Sequence, residues 1–393
     1  MGAHGLAFLL SLALRTAADP FPYAIAEAEL SVEIGVEELR AHVYRLASPE
    51  FMGRSGPGAA RAARHIAEAF KRLNLGPAFG DSYFQPIPYL LADDDKRKDS
   101  FLGRNVAAVL PGTDPKLKDE WIVLSAHFDH LGVRNGVLYP GADDNASGVA
   151  MLLEVAERFA LQKEKPRRTI LFVAFDQEEA GLLGSRHFAA HPPRDLKNLK
   201  AFLTADMLGR SMANLMDEYV YALGTESAAR LKKVVQEVTP EKGLKIGRIG
   251  TDLIGTRSDY GPFRDRRIPF LFFSTGQHPD YHAPTDLPDR VDYVKLARIS
   301  RWIADVTWRL ANDPEAPAWD NNSPPDLEEA RTILALIQRV LQSPQSFPLT
   351  ERQRTLVGNV EKRLADIVRR GEFTRGDRTW LVWTARLLMI SVF

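Results

Sequence analysis

The residues able to do chemistry in this chain are histidines and carboxylates placed just after apolar runs. The stretch WIVLSAHFDHLGVRNGVLYPGADD, residues 121–144, brings the first of them. WIVLSAH is an apolar run closing on a polar residue, the pattern of a strand covered on both faces. His127 then stands where that strand emerges, the edge at which open α/β sheets bind ligands. Asp129 follows two residues later and could hold one ring nitrogen while the other meets a metal ion. After a glycine-containing loop, GADDNASG sets Asp143 and Asp144 ahead of a helical pattern, and adjacent carboxylates repel unless a cation joins them. Taken singly, each has a plainer explanation: a strand-end histidine, or a helix N-cap for Asp143 or Asp144.

Three more strand-like runs deliver polar residues in the same way. ILFVAFD leads to Gln177-Glu178-Glu179, AFLTA to Asp206, and IPFLFFS through a turn to Asp280-Tyr281-His282. His127, Asp144, Glu179, Asp206 and His282 together supply two nitrogens and three carboxylates. Zinc accepts such ligands, and two ions about 3.5–4 Å apart can share one carboxylate as a bridge. The other four ligands then divide two and two. Of the neighbouring Glu178 and Glu179, one can ligate while the other acts as general base. A Glu-Glu pair ahead of a helix is more often simple charge complementarity with the helix N-terminus; its company of strand-exit ligands argues otherwise.

The elements that must position these groups are legible as alternating patterns. Helical spacing marks Glu37–Ala47, Ala59–Leu73, Val149–Phe159, Ala180–Ala190, Ser227–Val238 and Val291–Leu310. Strand-like runs lie at Tyr83–Leu91, Asn105–Leu110, Trp121–His127, Thr169–Phe175, Lys200–Thr204, Tyr219–Leu223 and Ile268–Ser274. This alternation predicts an α/β fold: a three-layer sandwich with a mostly parallel mixed central sheet flanked by helices, plus a C-terminal helical extension. The charged run Asp93–Lys98 reads as a solvated turn. Residues 311–325, with four prolines, read as a linker. Beyond them Leu327–Leu341, Thr350–Arg370 and Asp377–Ile390 look helical, packed either on the main domain or on another copy of the chain. There is no internal repeat.

The chain has 393 residues and a formal net charge of zero, so nothing points to a nucleic-acid partner. It has no cysteine, which removes disulfides, thiolate nucleophiles and Cys-ligated zinc. Residues Gly5–Leu14 form an apolar stretch too short to span a bilayer, followed by Arg15 and the small residues Ala17-Ala18, resembling a secretory signal peptide. The expected organisation is a signal peptide at 1–18, a catalytic domain at 19–310, a linker at 311–325 and the helical extension at 326–393. Export to the periplasm or medium follows, with no membrane insertion of the mature protein.

In order, AHFDHLG, PGADDNASGVA, FDQEEAGLLGS, ADMLGR, RSDYGPF and TGQHPDYHAPTD resemble the motifs of co-catalytic di-zinc aminopeptidases of the bacterial leucyl aminopeptidase and aminopeptidase Y type. The resemblance spans roughly residues 35–310, includes LASPEFMGRSGPG, and leaves out the tail. It implies two Zn2+ ions per chain bridged by Asp144, with His127 and Asp206 completing one site and Glu179 and His282 the other. It implies further that Asp129 orients His127, that Glu178 is the general base, and that Tyr281 steadies the oxyanion, ordinary loop packing being the alternative for Tyr281. The peptide at Asp144-Asn145 is one to inspect. The implied activity is hydrolysis of the N-terminal residue from peptides with a free N-terminus. Rivals are a single-zinc glutaminyl cyclase, a carboxypeptidase, and a non-catalytic binding member of the same fold. Two departures bear on substrate preference: Tyr260 stands where many relatives have histidine after Ser-Asp, and Gln177 where small residues are frequent. His130, a turn beyond the strand, and His278, ahead of the motif position, are set aside as ligands.

Overall fold

The computed structural model describes residues 30–88 and 101–391, without the side chains of Phe101 and residues 386–391. The expected signal peptide and the turn at Asp93–Lys98 lie outside the described residues. Two helices come first, α1 (Val36–Leu46) and α2 (Pro57–Arg72). The short strands β1 (Gly76–Pro77) and β2 (Phe84–Pro88) follow, then β3 (Phe101–Leu110) and β4 (Trp121–His127). Next come a small hairpin, β5 (Val133–Arg134) and β6 (Val137–Leu138), then α3 (Gly148–Leu161), β7 (Thr169–Phe175), α4 (Leu183–Ala190), β8 (Leu199–Ala205) and β9 (Tyr219–Leu223). The order then runs α5 (Ala229–Glu237), β10 (Lys245–Ile249), α6 (Gly261–Arg264), β11 (Phe270–Ser274) and α7 (Tyr293–Asn312).

The main sheet runs β1-β3-β7-β4-β8-β11-β9-β10, with β2 also paired to β3. Its centre, β7-β4-β8-β11, is parallel throughout, and the flanking β3/β7 and β11/β9 pairs are antiparallel. The central strands are buried on both faces, which explains their nearly unbroken apolar sequences. Alternate side chains feed two cores. Ile122, Leu124 and Ala126 pack with α1, α2, α3, α5 and α7, whereas Trp121 and Val123 belong to the core shared with α4 and α6. The carboxyl ends are level: His127 pairs with Phe175, Ala126 with Ala205, and Phe273 with Ala205.

Three tail helices follow, α8 (Leu327–Gln342), α9 (Glu351–Arg370) and α10 (Arg375–Ser391). Asp326 caps α8, and Thr350 with Gln353 forms a capping box on α9. Of the two expected locations the tail takes the first, since Ala330, Ile337, Val360, Leu364, Ile367 and Leu381 join the second core. The proline-rich segment before it is also tied down. Asp313 receives Arg230, Asp320 N donates to Ser227 O (2.8 Å), and Trp319 stacks on Phe270.

Several elements differ from the expectation: β1, the β5/β6 hairpin, α6 and β10 match no expected run, and the helix after β7 begins later. β10 went unseen because KIGRI alternates charge and glycine with isoleucine, as an edge strand does. The helix expected from Ala180 starts only at Leu183, because Gln177, Gly181 and Leu182 all take positive φ and wrap the Glu178-Glu179 turn over the end of β7.

Candidate metal centre

The carboxyl ends of the four central strands converge, and each brings a predicted residue. His127 ends β4, Glu178 and Glu179 lie on the turn after β7, Asp206 follows β8, and His282 sits on the loop after β11. Asp144 comes from the turn between β4 and α3, where its peptide bond to Asn145 is cis. All five predicted ligands meet. His127 Nε2 is 3.3 Å from Asp206 Oδ1 and 3.4 Å from Asp144 Oδ1; His282 Nε2 is 3.2 Å from Asp144 Oδ2 and 3.0 Å from Glu179 Oε2. The two oxygens of Asp144 thus face two different sets of donors. Ligand atoms of His127, Asp144 and Asp206 lie within 4.8 Å of one another, as do those of His130, Asp144 and Glu179.

The residues fit metal ions. His127, Asp144 and Asp206 are almost wholly buried, and buried charge persists only when compensated. Asp144 Oδ2 and His282 Nε2 are buried without a hydrogen-bond partner. Burial opposes protonation of His127, yet Asp206, Glu178, Asp129 and Asp144 hold its pKa well above the usual histidine value. Burial opposes protonation of His282 too, while Asp144 and Glu179 raise it to about 10. Burial would raise Asp144, but the imidazoles of His127 and His282 facing its two oxygens hold it well below the carboxylate range. The carboxylates therefore demand positive charge at the two places where Asp144 meets a histidine, which divalent cations supply with better geometry than protons.

Asp129 meets His127 mainly through its backbone. Its carbonyl lies 3.2 Å from His127 Nδ1 and its carboxylate 3.6 Å away. That carboxylate instead accepts the backbone N–H groups of Glu178 (3.0 Å) and Glu179 (3.2 Å), so it fixes the turn carrying both glutamates. Burial raises Glu178 well above the ordinary glutamate value, with His127 opposing and Asp206 and Asp259 adding to the rise. A glutamate in that field can take up a proton. Tyr281 stacks its ring on His282, centroids 3.9 Å apart, and burial with the nearby carboxylates pushes its phenol up, keeping it a donor.

Several residues were not singled out from the sequence. Arg54, fully buried, donates to five carbonyls: Phe128 (2.7 Å), Leu46 (3.0 Å), Pro140 (2.6 Å), Gly141 (2.6 Å) and Asp144 (3.2 Å). Asp286 accepts the N–H groups of Asp143 and Asp144. His278 Nε2 lies 3.3 Å from Asp143 Oδ2, away from the ligand set. His130, set aside on the sequence, is drawn into it, with Nδ1 2.9 Å from Glu179 Oε1. A lone arginine beside glycines in GRSGPG was the available signal for Arg54; its five acceptors are scattered along the chain.

The two departures also resolve. Tyr260 is fully buried between Phe270 and Phe272, its hydroxyl donating to Gly255 O (2.5 Å), so that position serves the core and not the cleft. Gln177 turns its amide onto Asp176 Oδ1 (3.3 Å).

A model of Peptidase family M28 matches residues 105–307, slightly more than half of the chain. Aminopeptidase YwaD of Bacillus subtilis is 28% identical over 204 residues, covering 50% of this chain and 42% of that protein. The chain spans about half the length of the curated relatives it matches. Among solved structures, the LapA aminopeptidase of Legionella pneumophila is similar at TM-score 0.55 and 19% identity, covering 76% of this chain and 80% of that one. Glutaminyl cyclase of Porphyromonas gingivalis is similar at TM-score 0.56 and 20% identity, covering 71% and 98%. At those identities the structures speak for the fold, an M28-type mixed sheet between helices. The family follows from the match that runs from β3 into α7 and takes in every converging residue: the chain belongs to Peptidase family M28.

Proposed function

We propose that the chain is a metal-dependent exopeptidase that removes the N-terminal residue of peptides, using two zinc ions held by His127, Asp206, Glu179 and His282 and bridged by Asp144. The observation that carries this reading is the division of Asp144 between two donor sets. Family membership and the aminopeptidase relatives support the reaction class. Zinc held by these residues would supply Lewis acidity to the scissile carbonyl and lower the pKa of the attacking water, the chemistry that lets hydrolysis run at neutral pH.

The chain's own residues do the rest. Glu178, held by Asp129 through its backbone N–H, takes the proton of the attacking water and returns it to the leaving amine. Its raised pKa suits a group that must hold that proton between the two steps. Tyr281, kept protonated, donates toward the oxygen that becomes anionic. Glu179 and Asp206 stay ionised as ligands. Export through residues 1–18 belongs to the same reading; sequencing the N-terminus of protein recovered from the periplasm or medium would find it beginning after Ala18, and an unprocessed cytosolic chain would contradict it.

The two glutamates give the test. Glu178→Gln keeps shape and both zinc ions but cannot accept a proton, and turnover of an aminoacyl amide falls by about 10²–10⁴. Glu179→Gln weakens one zinc, and added zinc restores part of its activity. If zinc rescues the Glu178 variant while the Glu179 variant stays dead at full occupancy, the roles are reversed.

A further inference from the structure

We infer that His130 is a positioning residue for one of the two ions: its Nδ1–H holds Oε1 of Glu179, so that Oε2 is presented to the metal beside His282. This rests on the two-ion reading and goes further, because it makes one of the two sites depend on a sixth residue.

The geometry is specific. Glu179 meets an imidazole at each oxygen, His130 Nδ1 at Oε1 (2.9 Å) and His282 Nε2 at Oε2 (3.0 Å). The His130 side chain is fully buried, whereas that of His282 is 34% exposed, so the two differ in freedom. The same His130 nitrogen is 3.8 Å from Asp144 Oδ2, too long for a hydrogen bond. It therefore has one partner, Glu179.

The other ring nitrogen decides between donor and ligand. His130 Nε2 is buried with no hydrogen-bond partner. If Nδ1 bound metal, the neutral ring would carry its proton on Nε2, where a buried N–H would find no acceptor. With the proton on Nδ1, the ring donates to Glu179 and Nε2 is left a bare acceptor. That is the arrangement in which an outer residue fixes a ligating carboxylate.

The surrounding backbone reserves the place. Gly141, at φ +57, packs so closely that a Cβ there would come within 2.5 Å of His130 Cδ2 and 2.1 Å of Asp144 O. His130 N donates to Arg54 O (3.3 Å), and Arg54 in turn holds Gly141 O and Asp144 O. Arg54 thus anchors the backbone of His130 through its own carbonyl, and through its guanidinium the carbonyls of Gly141, against which the ring packs, and of Asp144.

The test is zinc affinity, read by competition with a chromophoric chelator. The parent chain binds two zinc ions in two resolvable steps; binding of one only would sink the two-ion reading and is seen without any variant. In His130→Ala one step weakens by about 10–100-fold and the other is unchanged. His130→Asn, whose amide N–H stands near the Nδ1 position, restores the weakened step close to the parent value. Should the alanine variant not fold, His130→Gln takes its place, since it sets the amide at the Nε2 position and leaves Glu179 without its donor. Unchanged affinities in the alanine or glutamine variant overturn the inference. So does an asparagine variant as weak as alanine, which would make the ring nitrogen a ligand.

Discussion

Asp144 can serve two ions only if its peptide is held still, and residues outside the ligand set do the holding. Asp286 takes the successive N–H groups of Asp143 and Asp144, and Arg54 takes carbonyls on both flanks of the metal loop. Arg54→Met should destabilise the fold by about 3 kcal/mol or more, because five buried carbonyls lose a charged donor; a melt within a degree or two of the parent would contradict this. The His282 loop is anchored by Asp280, which accepts from Thr285 (2.7 Å), Arg290 (2.5 Å) and Arg210 (3.0 Å). Burial would raise this carboxyl, but those bonds lower it to about 2 from its ordinary 3.8. The folded pKa is depressed, so its stabilisation is complete above pH 4 and is lost as pH falls toward 2. Chelator-treated Asp280→Asn should accordingly melt below the parent at pH 6, with the gap closing by pH 2; a gap constant across that range would remove Asp280 as the cause. The five converging residues were legible from local signals: four follow an apolar run, directly or through a turn, and Asp144 belongs to a carboxylate pair ahead of a helical pattern. Arg54, Asp286 and His130 were not, because what defines them is a partner distant in sequence.

At the scale of elements, the tail covers an open sheet edge. β10 ends the sheet, and α8 meets N–H groups on it and just beyond it: Arg248 N donates to Thr332 Oγ1 (3.3 Å) and Gly250 N to Glu329 Oε1 (2.6 Å). Arg378 on α10 then clamps Glu329 (2.9 Å) and Asp252 (2.7 Å). An exposed edge of this kind invites pairing with other chains. Truncation after Pro325 should thus retain both zincs and turnover per folded chain while aggregating, as light scattering would report. A soluble truncation that keeps zinc and loses turnover would instead place the tail in the substrate cleft. Arg378→Met should cost about 2 kcal/mol, chiefly by leaving the buried Glu329 carboxylate without its cation; Asp252 is 46% exposed and adds little. The tail helices were readable from periodicity and capping residues. Their role was not, since the strand they protect is too short and too charged to be recognised before its partner is seen.

For the whole molecule, fold and site share one cause. Four parallel strands buried on both faces end level, and whatever follows them is forced together. That is why the order of apolar runs indicated both the sheet and the residues at its edge, while the sequence left open which face each helix covers. The claim that this assembly is a two-zinc aminopeptidase is tested most directly by titrating zinc into the metal-free protein. Leucine amide and its N-acetylated form serve as paired substrates, with a glutaminyl peptide alongside. The account predicts release of leucine from the free-amine substrate only, with full activity reached at two equivalents of zinc. Full activity at one equivalent, with cyclised glutaminyl product and no leucine released, would contradict it.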